Sequence, residues 1–355
     1  MPSTDPNSAR RIELILQQVD SLPTLPAVAM RLLQVTSADD SDAQNVIELV
    51  KSDPVMTSKI LSLCRNAATG LRANTLTIDR AVVMLGFDTI RNAVLSIKVF
   101  ESFVEDEPKD RNESPAEEES TRSFHRPAFW RHCLAVGIAA ELIASHHSEL
   151  KDLNPSEAFV CGLLHDIGKL ALEHVLPRSY VRVIELTEQT HANIAHIERK
   201  VLGIDHHTAG KRLAEKWGLS HPLSDSIWLH GSSYASLPDL AHRRLVGVVG
   251  LADLHVRRQH IGYSGNYHLT DDVEIIAQAM DLDPQRVENA VDKVHEELER
   301  RAEALGLGEA PSRKLFLESI MQANTVLGRL NNQLETQRQK TFRQGRAIAA
   351  IAQFH

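Results

Sequence analysis

Cysteine, aromatic residues and positive charge are all scarce in this 355-residue chain. Its three cysteines, Cys64, Cys133 and Cys161, lie far apart inside apolar helical patterns. Neither a disulfide framework nor a Cys-x-x-Cys metal knuckle can be drawn from them, which fits a reducing compartment. Aromatics are 5% of residues and period-two alternation never holds for long, so the usual marks of strands are missing. Acidic residues outnumber basic ones by 47 to 39, a formal charge of −8. The positive footprint that nucleic acid or an anionic membrane requires is therefore absent. The longest near-apolar run, Leu245 to Leu254, contains Asp253 and is about half the ~20 residues of a spanning helix. The polar start, Met1 to Arg10, has no apolar signal-peptide core. The expectation is a cytoplasmic protein with neither a membrane nor a nucleic-acid partner.

What is present is helical spacing and capping residues. Ile12, Ile15, Leu16 and Val19 form one stripe, after which Leu22-Pro23-Thr24-Leu25-Pro26 breaks the chain. Asp53-Pro54 predicts a helix start, since Asp caps free amides and Pro fits the first turn; Val55, Met56, Ile60, Leu61 and Cys64 follow. Ile78, Val82, Val83 and Leu85 stop at Gly86, a C-terminal cap, and Asp88 opens the next helix. Further helices are expected over 127–147, 154–172 (Asn154 and Glu157 as a capping box), 205–217, 220–230 and 237–258, with two more between 271 and 304.

Two shifts in composition divide the chain. Between Glu105 and Ser123 eight of nineteen residues are acidic and almost nothing can be buried, so a mobile linker is expected. None of the eighteen histidines precedes this linker and sixteen lie between His125 and His268, which locates the chemistry. Past Pro311, residues Phe316, Ile320, Ala323, Leu327, Leu330 and Leu334 recur in steps of three and four, as a heptad seam does. A helix pairing two copies and a helix packing on its own domain are both open; a homodimer through 311–355 is the expectation. The pattern still runs at Phe354-His355, which leaves room for a further domain. The organisation read here is an N-terminal helical lobe (1–104), an acidic linker (105–123), a helical bundle (124–310) and a C-terminal signalling helix (311–355).

The sharpest motif is Gly162-Leu163-Leu164-His165-Asp166-Ile167-Gly168-Lys169. An adjacent imidazole and carboxylate are good ligands for a divalent Zn, Mn or Fe ion. Their apolar neighbours imply burial, and a buried carboxylate needs something cationic beside it. His132 shares an inward face with Phe129 and Val136, and Asp253 lies within the Leu245 run. Each alone has a plain explanation: a core histidine that is hydrogen-bonded, an aspartate that caps or pairs. Together His132, His165, Asp166 and Asp253 form a four-ligand set from three helices. His206 and His230, both at helix ends, are candidates for a second metal or else face solvent. His146, His147, His207, His221 and His242 have weaker context and are assigned to the surface. Lys169 either neutralises a phosphoryl oxygen, with a metal-bound water attacking phosphorus, or is an exposed lysine near a helix end. No Walker loop, Gly-x-Ser-x-Gly elbow or Cys/His dyad is found.

Four stretches together resemble the HDOD (HD-related output domain) family of the HD superfamily: Leu22 to Pro26, Ser52 to Leu61, Ala81 to Gly86 and Gly162 to Leu170. Gly203 to Trp217, with Asp205-His206 and Gly210, resembles the family's later helix, so the likeness covers roughly residues 10–300. It implies an all-α fold in which the N-terminal lobe packs on an HD-like bundle, and a place in bacterial signalling chains beside a protein partner or an appended domain. It also implies that His132, His165, Asp166 and Asp253 match the HD metal set. His206 and His230 match extra ligands of the related HD-GYP phosphodiesterases. Two departures stand out: Gly231 occupies the place of a second histidine, and Gly262-Tyr263 continues with Ser264, so no Gly-Tyr-Pro signature exists. The favoured expectation is a regulatory module that binds one or two divalent ions and acts through protein contacts. The alternative is a metal-dependent phosphohydrolase acting on a nucleotide or cyclic dinucleotide, with Asp166 and Lys169 at the chemistry.

Overall fold

Helix-favouring spacing and well-placed caps give a fold built of helices, with no strand among the described residues. The computed structural model describes residues 6–22, 26–34, 44, 46–48, 50–51, 54–67, 77–104, 124–267 and 272–305. Residues 1–308 belong to one compact unit and 309–355 to a second. The acidic stretch 105–123 and the heptad-spaced segment 311–355 lie outside the described residues.

The N-terminal lobe comprises α1 (Pro6–Ser21), α2 (Ala27–Gln34), α3 (Pro54–Ala67), α4 (Ile78–Leu85) and α5 (Phe87–Val104). Ile15 and Val19 of α1 are buried, as their stripe requires, and Met56, Ile60 and Leu63 form the inner face of α3. Gly86 ends α4 with φ of 82°, its N–H donating to the Val82 carbonyl. This lobe shares one apolar core with the bundle that follows. Polar ties cross between them: Arg212 holds Asp20 through two nitrogens at 2.9 and 2.7 Å, and Arg11 donates to the Val201 carbonyl.

The bundle continues with α6 (Arg126–His146), α7 (Pro155–Leu164), α8 (Ile167–Val175), α9 (Pro177–Thr190), α10 (Ile194–Val201), α11 (His206–Lys216), α12 (His221–Leu229), α13 (Arg243–Arg258), α14 (Val273–Ala279), α15 (Pro284–Val291) and α16 (Val294–Leu305). The central member is α6, packed on α7, α13, α15 and α16. It is long and apolar enough to cross a membrane by length and composition, yet 78% of its most apolar window is buried by its neighbours.

Several boundaries differ from the sequence reading. The helix expected over 154–172 is two, broken at His165-Asp166, where Asp166 adopts φ −101° and ψ 13°. The helix expected from Leu237 begins only at Arg243, because Pro238 holds Leu237 extended. Three short helices, not two, occupy 273–305, since Asp283-Pro284 restarts the chain. Helices α9 and α10 have no counterpart in the sequence reading, although Pro177 in the first turn and Asn193 as a cap signal both. Asn154 does cap α7, accepting the Ser156 N–H at 2.8 Å.

Candidate metal centre

Close backbone approach positions the site. A Cβ on Gly162 would lie 2.8 Å from the Gly137 Cα and the Val136 carbonyl oxygen, so glycine lets α7 touch α6 and brings His165 to His132. On α8, a Cβ on Gly168 would sit 1.9 Å from the His206 carbonyl oxygen, with the Gly210 nitrogen also close. That contact sets the start of α11 against Asp166. Asp205 caps α11 by accepting the Thr208 N–H at 2.9 Å, which presents His206 at the helix mouth. His230 ends α12, and Asp253 sits in α13 one turn before Arg257.

All six predicted ligand candidates meet, and all are buried. His132 Nε2 lies 3.2 Å from Asp253 Oδ1 and 3.9 Å from Asp166 Oδ2. His165 Nε2 lies 3.2 Å from Asp166 Oδ2 and 3.7 Å from Asp253 Oδ1. On the other side of the same carboxylate, Asp166 Oδ1 is 3.5 Å from His206 Nε2 and 3.4 Å from His230 Nε2. Asp166 therefore stands between two pairs of imidazoles, one for each oxygen.

The outer ring nitrogens explain why these contacts are unsatisfied. His165 Nδ1 faces the Gly162 carbonyl at 2.7 Å, and His230 Nδ1 faces the Ser226 and Ile227 carbonyls at 3.1 and 3.2 Å. His206 Nδ1 lies 2.6 Å from Glu198 Oε2, which also accepts the His206 backbone N–H at 2.8 Å. A carbonyl only accepts, so the neutral rings carry their proton on Nδ1 and turn a bare Nε2 lone pair inward. Lone pairs on nitrogen thus face lone pairs on carboxylate oxygen. His165 Nε2 and Asp166 Oδ1 accordingly make no hydrogen bond, although each has a polar atom close by, and neither ring nitrogen of His132 makes one. Only a cation relieves that arrangement, and imidazole with carboxylate is a donor set for a divalent transition metal. These residues fit such an ion. Where no metal is bound, a proton does part of the work. Burial opposes the charge on His165, but the negative charges of Asp166 and Asp253 prevail and push it up to about 9.

Each carboxylate has its own cation. Lys169 Nζ is 2.5 Å from Asp166 Oδ2 and donates to the Ser264 carbonyl at 2.8 Å; Arg257 Nε is 2.9 Å from Asp253 Oδ2. Burial alone would raise both aspartates, yet the facing positive charges hold them well below the usual carboxylate range, His165 first for Asp166 and Arg257 first for Asp253. Lys169 is buried and is therefore not the exposed lysine that the sequence also allowed. The basic partner that a buried Asp166 demanded is this lysine, one helical turn away.

Three residues escaped the sequence reading. Glu198 is fully buried, held by the Tyr180 hydroxyl at 2.8 Å as well as by His206, and burial pushes its carboxyl up to about 8. Nothing in the order of residues marked it; a charged position on the inner face of a short helix was the only signal. His207, assigned to the surface, is half-buried beside His206 and His230. His147 is buried too, its Nδ1 2.7 Å from the Ile143 carbonyl. Burial first, then neighbouring positive charge, holds His206 and His207 well below the usual histidine range. The cavity over the cluster is lined by Lys169, His207, Asn193 and Arg257 among others and offers about 40 Å³.

Comparison with known proteins agrees with this fold. The HDOD domain profile matches residues 22–233. Among solved structures, an HDOD domain protein of unknown function from Geobacter sulfurreducens is 22% identical with a TM-score of 0.67, covering 84% of this chain and 100% of that one. A Shewanella amazonensis SB2B protein, named as a candidate phosphohydrolase, is 26% identical with a TM-score of 0.61, covering 82% and 97%. A Marinobacter aquaeolei VT8 protein, named as a candidate signal transduction protein, is 18% identical with a TM-score of 0.64, covering 84% and 65%. A curated but uncharacterised protein from Treponema pallidum is 20% identical over 68% of this chain, which spans 44% of that relative's length. With the family profile covering more than half its length and the fold shared with these structures, the chain belongs to the HDOD family.

Proposed function

We propose that the protein is an HDOD signalling module built around a buried divalent-metal centre, which passes its state to a partner through protein contacts. The observation that carries this reading is the convergence of four imidazole Nε2 atoms on two aspartates, beside a cavity of about 40 Å³ that Asp166, Asp253, His206 and His230 line. Such a volume accepts ions and water, whereas pockets for nucleotide-sized ligands occupy roughly 300–1,000 Å³. His132, His165, Asp166 and Asp253 would hold the ion. Lys169 and Arg257 neutralise the outer carboxylate oxygens, and Gly162 and Glu198 orient the rings of His165 and His206. A partner from a signalling pathway accords with the name of the Marinobacter protein that shares the fold.

A second reading, metal-dependent phosphohydrolysis, draws on the ligand set itself. Bound metal supplies a Lewis acid and a water of lowered pKa, and the cavity reaches Asp166 past His207 and Asn193. On this reading the chain's own residues exclude bulk water and fix the charge of Asp166, and the mouth must widen to admit a substrate. Elemental analysis of the purified chain beside a His165→Ala, Asp166→Ala variant tests both readings. Stoichiometric metal that the variant loses is expected; metal-free, normally folded wild-type protein would end both. Turnover of cyclic dinucleotides or nucleotides with added Mn²⁺ would favour hydrolysis, and its absence in a metal-loaded sample favours signalling.

A further inference from the structure

We infer that His207 is a metal ligand, completing with His206, His230 and the free oxygen of Asp166 a second cation position beside the one bounded by His132, His165 and Asp253. This rests on the reading of the cluster as a metal centre and extends it to a second ion.

The three rings are already arranged around a common point. His206, His207 and His230 each offer one nitrogen, and these nitrogens lie within 4.8 Å of one another. The ring of His207 sits between the other two: centroids are 4.0 Å apart for His206–His207, 4.7 Å for His207–His230 and 6.1 Å for His206–His230. His207 Nδ1 is buried without a hydrogen-bond partner, a costly state for a polar atom that binds nothing. Asp166 Oδ1 is likewise without one, while Oδ2 is taken by Lys169. Three imidazoles and a carboxylate oxygen make a donor set of borderline softness, suited to Zn²⁺ or another divalent first-row ion.

The residue after His230 shows that the position of the His207 ring is structurally provided for. A Cβ on Gly231 would lie 2.6 Å from His207 Cε1 and 2.7 Å from Nε2, closer than real contacts allow. Any side chain at 231 would therefore occupy the place of this ring. Glycine there leaves room for an imidazole arriving from α11, so the ring of His207 lies where it can reach the cluster instead of being turned out to solvent. Consecutive residues of a helix diverge by ~100°. His206 and His207 both serve one point only because that point lies off the open first turn of α11, between α11 and the end of α12.

The test is metal stoichiometry of the full chain, stripped and reloaded with Zn²⁺, by elemental analysis and calorimetric titration. Wild-type protein is expected to hold two equivalents. His207→Ala should keep one and lose the other, or weaken it at least tenfold. Gly231→Ala, which leaves His207 in place but displaces its ring, should do the same, and His207→Gln supplies a volume-conserving variant should the alanine form not fold. Zero equivalents in a folded wild type would overturn the metal reading as a whole. One equivalent would overturn the second site alone, and two equivalents of unchanged affinity in His207→Ala and His207→Gln would overturn the role given to His207.

Discussion

Tautomer control by outer atoms is the residue-level feature on which the metal centre depends, and Glu198 is its clearest instance. Its Oε2 accepts the backbone N–H of His206 and lies 2.6 Å from the ring Nδ1, and the Tyr180 hydroxyl donates to the other oxygen. Partners of this kind typically contribute 10–100-fold to metal affinity. Glu198→Gln keeps the size but can turn an amide N–H toward Nδ1, so affinity for Zn²⁺ should fall about 10–100-fold in a calorimetric titration. The free thiols show the opposite consequence of burial. Cys161 is buried, and loss of hydration pushes its thiol up to about 12. The thiolate is the reactive form. Cys161 should therefore resist iodoacetamide at pH 8 in the native protein and react once the chain is unfolded, as peptide mass spectrometry would show.

Among the elements, the crossing of α6 and α7 at Gly137 and Gly162 sets backbone against backbone. Adding one methyl group at 162 meets backbone on the facing helix, which cannot rotate aside as a side chain can. Gly162→Ala should cost about 1–3 kcal/mol of stability in urea denaturation. It should also weaken metal binding, because His165 follows Gly162 by less than one turn while His132 stays on α6. Glycine to alanine at an exposed helical position would instead add about 0.5–1 kcal/mol of stability and leave metal binding unchanged.

At the scale of the whole molecule, metal and fold are linked. An ion that binds the folded chain alone stabilises it by RT ln(1 + [L]/Kd), about 2.7 kcal/mol at a hundredfold excess over Kd. Removal of metal by a chelator should lower the melting temperature of the wild type by calorimetry and leave a His165→Ala, Asp166→Ala variant unchanged. The heptad-spaced residues 316–334 lie outside the described part of the chain. If they join two copies, sedimentation of a chain ending at Pro311 should show monomer where the full chain shows dimer; unchanged association would refute the coil.

Helical periodicity and Pro and Gly punctuation were enough to read an all-helical fold, and the His-Asp pair, with the resemblance of its surroundings to HDOD motifs, pointed to six candidate ligands. Those signals are local or depend on spacing along one helix face, which sequence displays. Only the tertiary structure decided that the His165-Asp166 pair breaks a helix, that Lys169 is spent on Asp166, and that Glu198 and His207 belong to the cluster. Each of these depends on contacts between residues from different helices, such as Gly168 against His206 or Gly231 against His207. Periodicity says which side of a helix faces inward, but not which atoms of another helix will be waiting there.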